Sequence, residues 1–235
     1  MIDSYDKLTI SKYKEILALD RNGDAMEFLL DELEILSDYT VDELLTMPIN
    51  DFKELSKKAQ FLREKPDFKK RCPNSIKING EKYSVDTDVK NMSVGQYIDY
   101  KQYYKEPEDL MKNLNYIMTI FIIPAGHKYG DGYDLETLAK LIDDNLSVQV
   151  AIQISNFFFQ KLEKYIKCFL TYLSLKMKKE MKKMKNQETK MEMEKAMKEI
   201  QDLKALLKDG YLLTGVSGYE KYMGASLMKY STLIS

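Results

Sequence analysis

The tightest constraint on how this chain folds is an apolar spacing that begins at Ala151. Ser155, Phe158, Leu162, Tyr165, Phe169 and Leu173 follow it in steps of three and four. Only an α-helix, with about 3.6 residues per turn, returns such positions to one side. Ser147 stands where a hydroxyl can accept from a free N–H of the first turn. A long helix does not persist on propensity alone, so this seam predicts the core of the protein. Leu170, Met177, Met184 and Met191 then recur every seven residues, with Met181 between two of them, through a stretch (176–199) made almost wholly of lysine, methionine and glutamate. Met193, Met197, Ile200, Lys204 and Leu207 continue helical spacing in a shifted phase. The pattern predicts a coiled-coil-like extension of the long helix, projecting from the body until Asp209-Gly210 stops it.

The remaining elements are shorter. Tyr13, Ile16 and Leu17 mark one helix, and Met26, Leu29, Leu30, Leu33 and Leu36 a second. Thr40 and Glu43 have capping-box spacing, and Pro48 stands where a fourth helix, carrying Phe52, Leu55, Ala59 and Leu62, can open. Pro66 and Pro73 punctuate a charged linker. Ser75-Ile76-Lys77-Ile78 and Glu81-Lys82-Tyr83-Ser84-Val85 alternate around Asn79-Gly80, the pair suited to a type I′ hairpin turn. Ser93 and Gln96 form a second capping box. A helix opened by Pro107 is expected to carry Leu110, Met111, Leu114, Ile117, Met118 and Phe121 and to end at Pro124. Leu135, Leu138, Leu141 and Ile142 mark another helix, and a weak one is expected near residues 219–228.

The expected architecture is mainly helical with one small β-hairpin. It divides into an N-terminal helical cluster (1–65), a hairpin-plus-helix core (66–175), a Met/Lys/Glu-rich extended helix (176–209) and a tail (210–235). A length of 235 residues with 44% hydrophobic and 31% charged side chains suits one domain with appendages. The net charge of −1 supplies no overall field toward nucleic acid. That charge is uneven: residues 1–64 hold eight basic and fifteen acidic groups, and residues 176–199 compensate. An acidic front and a basic stem can attract each other or two different partners. Only three of the 36 basic residues are arginines, Arg21, Arg63 and Arg71. Cys72 and Cys168 form no CxxC or Cys/His cluster, which fits free thiols in a reducing cytosol, and Cys168 beside Phe169 reads as a buried structural thiol. The first residues show no signal peptide, and the longest apolar run, 116–123, is far short of a membrane span.

No constellation in the sequence asks for catalysis. His127, the sole histidine, lies among Tyr129, Asp131, Tyr133 and Asp134 in a turn where Gly130 and Gly132 allow positive φ. Asp20-Arg21-Asn22-Gly23-Asp24 imitates the start of a calcium loop, but Ala25 replaces the required glycine and Asp31 the closing glutamate. No phosphate-binding glycine motif and no Ser-His-Asp or Cys-His arrangement has local support. The expectation is a protein that is not an enzyme and holds no cofactor or metal. Its partner-binding candidates are Met177, Met181, Met184 and Met191, whose flexible thioether side chains adapt to many helix faces. The competing reading makes the same stripe a seam closed on this chain's own helices or on a second copy.

Several segments carry a family resemblance: Leu8-Thr9-Ile10-Ser11-Lys12-Tyr13, Ile78-Asn79-Gly80-Glu81-Lys82-Tyr83, Met92-Ser93-Val94-Gly95-Gln96-Tyr97-Ile98-Asp99, Pro124-Ala125-Gly126-His127-Lys128-Tyr129-Gly130, and Phe157-Phe158-Phe159 leading to Leu170-Thr171-Tyr172-Leu173. In this order they resemble the tail-assembly chaperones of tailed bacteriophages, over residues 8–175. The resemblance implies a role in virion assembly within the bacterial host cytoplasm, holding the long helical tape-measure protein or another tail component. It also allows a structural component retained in the particle. A nucleic-acid-binding phage protein is the third class, set back by the glutamates that interrupt the lysines of 176–198.

Overall fold

The computed structural model describes residues 1–20, 24–64, 71–105, 109–183 and 187–208. Four helices, α1 (Ile10–Ala18), α2 (Ala25–Leu36), α3 (Val41–Thr46) and α4 (Ile49–Lys58), run into a short 3-10 turn at Ala59–Arg63. Two of the starts are set by caps legible in the sequence: Thr40 and Glu43 form the reciprocal box of α3, and Pro48 precedes α4. These helices bury Leu8, Ile16, Leu30, Leu33, Leu36, Leu44, Leu55 and Ala59 together with Val148, which belongs to the long helix.

The front cluster is therefore sewn to the centre rather than hung on a linker. Thr9 and Ser147 cap their own helices and also face each other in an antiparallel bridge. Ile10 N donates to Leu146 O (3.1 Å) and Val148 N to Leu8 O (2.8 Å). Lys14 Nζ reaches Asp143 and Asn115, both at 2.8 Å.

In the centre, β1 (Ser75–Ile78) and β2 (Glu81–Val85) form the expected hairpin, with Asn79 and Gly80 at φ 50° and 85°. A third strand, β3 (Ile122–Pro124), pairs antiparallel with β2, so the hairpin is the first part of a three-stranded sheet. The sequence reading kept these residues helical to Pro124. Instead the helix divides at Asn113 into α6 (Asp109–Lys112) and α7 (Leu114–Phe121), following α5 (Val94–Tyr103). β-Branched Ile122 and Ile123 then turn extended against β2, and Pro124, lacking an N–H, sits on an edge strand where it costs no ladder bond. Helix α7 is buried nearly all round, with Leu114, Ile117, Met118, Ile120 and Phe121 in the central core beside Tyr100, Tyr104, Phe158 and Phe159.

After α8 (Leu135–Asn145), the long helix α9 runs from Val148 to Met181. The 176–209 segment does not continue it as one projecting rod. Helix α9 ends at Met181, with Lys182 and Lys183 in a turn, and α10 (Gln187–Lys208) packs back along α9 as a helical hairpin. Ile166, Leu170, Leu173 and Met177 of α9 close on Met193, Ala196 and Ile200 of α10. The expected helix near 219–228 and the whole tail 210–235 lie outside the described residues. The chain is thus mostly helical, with a small antiparallel sheet and a long C-terminal helix.

Candidate protein-binding face

The buried line of α9 turns as the helix changes partners. Near its start, Ala151, Ile154 and Phe158 enter the central core; beyond Leu162 the buried positions are Ile166, Leu170, Leu173 and Met177, which face α10. Tyr165, expected in the seam, is 45% exposed. Cys168, expected to be buried, is exposed as well, one residue round the helix from Phe169. Both miss the core because the seam advances by four residues at a time from Phe158 to Leu170, and so rotates away from them.

The methionine candidates separate in the same way. Met177 is fully buried in the α9–α10 seam and Met181 packs half-buried against it. Met191 is 56% exposed on the other side of α10. Met184 lies outside the described residues. Met177, Met181 and Met191 do not form one accessible stripe, and Met177 is occupied by this chain's own second helix.

A different line of side chains is open. Phe157, Tyr165, Cys168, Tyr172 and Leu175 succeed one another along α9 on the side turned away from α10, and Tyr172 and Leu175 are 58% and 63% exposed. The eighteen steps from Phe157 to Leu175 span about 27 Å of helix axis. Lys161 and Lys179 lie in the same line by spacing, and Lys161 Nζ stands 4.5 Å from the centre of the Phe157 ring. The carboxylates nearby are engaged: Glu163 pairs with Lys167, and Glu180 with Lys183. Across the hairpin, Lys204 Nζ donates to Ser174 Oγ at 3.1 Å, and burial beside Lys178 lowers its pKa. The result is a helix face that is aromatic and aliphatic along its middle and basic at its borders. Its sequence signal was present, as a second set of residues at helical spacing, but it was merged with the core seam.

A smaller patch lies on α5, where Val94, Tyr97 and Ile98 are exposed. The glycine loop folds against that helix. Tyr129 packs beside Gly95, where an added Cβ would meet its ring at 3.9 Å, and its hydroxyl donates to Asp99 Oδ2 at 2.5 Å. Burial, then the bond to Asp99, pushes the Tyr129 phenol far above its ordinary pKa.

His127 Nδ1 is 3.0 Å from the backbone oxygen of Asp131, and its ring meets Tyr133 edge-on. Its partners are those of a turn: Gly126, Gly130 and Gly132 take the positive φ values that let the loop reverse. Asp24, the third ligand position of the calcium-like motif, is spent as the cap of α2, accepting from Met26 N at 2.6 Å. Residues 21–23 lie outside the described set. Cys72 donates to the Pro73 carbonyl at 3.6 Å, and burial raises its thiol pKa. Among the described residues, no three His, Cys, Asp or Glu side chains come together as a metal site, and no helix is long and apolar enough to cross a membrane. No family model, curated protein or solved structure matches the chain.

Proposed function

We propose that this chain is a non-enzymatic assembly protein of a tailed bacteriophage: a chaperone that holds an aggregation-prone helical phage protein, such as the tape measure, in the host cytoplasm. The observation that carries this reading is the exposed line Phe157–Tyr165–Cys168–Tyr172–Leu175 on a helix braced from behind by α10. A helix of a partner laid along it meets apolar anchors at the three-and-four spacing that helix-in-groove recognition uses. The resemblance over residues 8–175 supplies the biological setting.

The test is co-expression with the tape-measure protein. The wild-type chain keeps the client soluble and is recovered with it. Tyr172→Glu/Leu175→Glu loses both, while Val94→Glu/Ile98→Glu, equally exposed but on α5, keeps them. A stripe variant that still holds its client refutes the reading. Presence of the chain in purified mature particles favours the structural-component alternative. A sub-micromolar, steeply salt-dependent complex with phage DNA at physiological salt brings the nucleic-acid reading forward.

A further inference from the structure

The lysine-bordered face of α9 has a counterpart elsewhere in the same chain. Residues 24–52 contain nine carboxylates and neither lysine nor arginine, whereas residues 161–183 contain eight lysines and only two glutamates. The acidic segment also exposes apolar side chains where α3 meets α4. Leu45 and Ile49 are 64% and 65% exposed and Tyr39 is 44% exposed, with Asp38, Asp42 and Asp51 at the surface around them. Leu45 and Ile49 flank the α3–α4 junction and Tyr39 precedes α3; the border is acidic on the α3 side, opposite in sign to the stem, while Lys53 stands one turn beyond Ile49 on α4.

Within one copy the two faces do not cover each other. The front cluster grips α9 at Val148, and Tyr165 lies seventeen residues further along the helix, about 25 Å away. Both faces stand open in the structure. We infer that the acidic α3–α4 corner of one copy docks on the lysine-bordered α9 face of a second copy. The contact is heterologous, joining two different patches, so it propagates head to tail into a short filament or a ring. This inference rests on the proposed reading of the α9 face as a protein-binding surface and adds its regulation. Self-docking covers the apolar line when no client is present, and a client helix must displace the neighbouring copy to reach it.

The experiment is sedimentation velocity on the full chain, with two variants built only from exposed positions and checked for wild-type helicity and melting. The wild type, 27.5 kDa as a monomer, associates as concentration rises and dissociates as salt is added. Tyr172→Glu/Leu175→Glu (stem variant) and Leu45→Lys/Ile49→Lys (front variant) are each monomeric. Mixed in equal amounts, they form a one-to-one dimer and nothing larger, because only one front and one stem survive in each pair. A wild type that stays monomeric at low salt and high concentration overturns the inference. So does a front variant that still dimerises, which means stem packs on stem, or a mixture that stays monomeric. Binding of the monomeric wild type to vesicles rich in anionic lipid, abolished in the stem variant, also overturns it and assigns the face to a membrane surface. The client assay separates the two proposals. Client capture without self-association sinks this inference alone, whereas self-association without client capture sinks the chaperone reading alone.

Discussion

Met177→Ala tests whether the methionine stripe is seam or surface. The side chain is fully buried between α9 and α10, among Ile166, Leu170, Leu173, Met193, Ala196 and Ile200. Truncating a buried methionine removes its transfer energy and leaves a cavity, at a cost of about 2–5 kcal/mol. The lower part of that range applies, because the seam already holds the small Ala196 and the two helices can close on the gap. A loss of about 2.5 kcal/mol shifts an opening equilibrium by roughly 70-fold. That loss falls on the hairpin alone: its cluster and the central core share only the half-buried Leu162. Hydrogen exchange followed by peptide should therefore show α10 and the second half of α9 exchanging tens of times faster, while α7, α8 and the start of α9 keep their protection. The main thermal transition should hold. Met191→Ala, at a 56% exposed position, should change stability by no more than about 0.5 kcal/mol. Unchanged α10 protection in Met177→Ala refutes the seam. A fall of the main transition together with α10 refutes the separation of hairpin from core.

Three further perturbations probe other parts of the fold. Ser155 is buried on α9 and its hydroxyl has no hydrogen-bond partner, so Ser155→Ala should raise the melting temperature, by up to about 1 kcal/mol in stability; a clear drop would show that the hydroxyl is satisfied. The Glu32 carboxylate is 5% exposed and 3.2 Å from Arg63, which itself reaches solvent, so Arg63→Ala should cost about 1–3 kcal/mol in a denaturant melt. Glu32→Gln in the same background should recover part of that loss, and no recovery would mean that the arginine acts through packing. Tyr129 stays protonated in the fold well above the pH of about 10 at which an unfolded tyrosine ionises, so its contribution is complete below that pH and is lost as pH rises. Tyr129→Phe should cost about 1–2 kcal/mol at neutral pH through the lost bond to Asp99 and should flatten the alkaline decline of stability; an unchanged alkaline slope argues against the buried phenol.

Local interactions were the most legible. Both capping boxes, the Ser147 cap and the two-residue turn at Asn79-Gly80 need only neighbours within four residues, and the structure contains all of them. Where a residue serves a local and a distant role, the sequence displays one half. Gln96 Oε1 accepts from Ser93 N as the box requires, and its Nε2 also donates to Ile120 O at 2.9 Å, satisfying a carbonyl left over where α7 gives way to β3. Thr9 likewise caps α1, and nothing near it in the chain announces its bridge to Ser147. The candidate face was hidden for a related reason. Residues at helical spacing on opposite sides of one helix form two interleaved patterns, and choosing between them requires knowing what packs on which side.

By itself, then, the sequence determined the helical class, the capped helix starts at Thr40, Pro48, Ser93 and Ser147, and the hairpin. Each follows from backbone sterics, caps and periodicity, which act over a turn or two. Tertiary structure alone decided that Ile122 and Ile123 become a strand, because their extended form gains β2 as a partner. It also decided that the methionine segment folds back. An apolar stripe on a charged helix is satisfied equally by an intramolecular partner or a foreign one, and here α9 ends at Met181 and α10 closes on it. That closure buries Met177 and turns Tyr172 and Leu175 outward, so the surface left for a partner was set by which helix reached the seam first in space, not by the pattern of the seam itself.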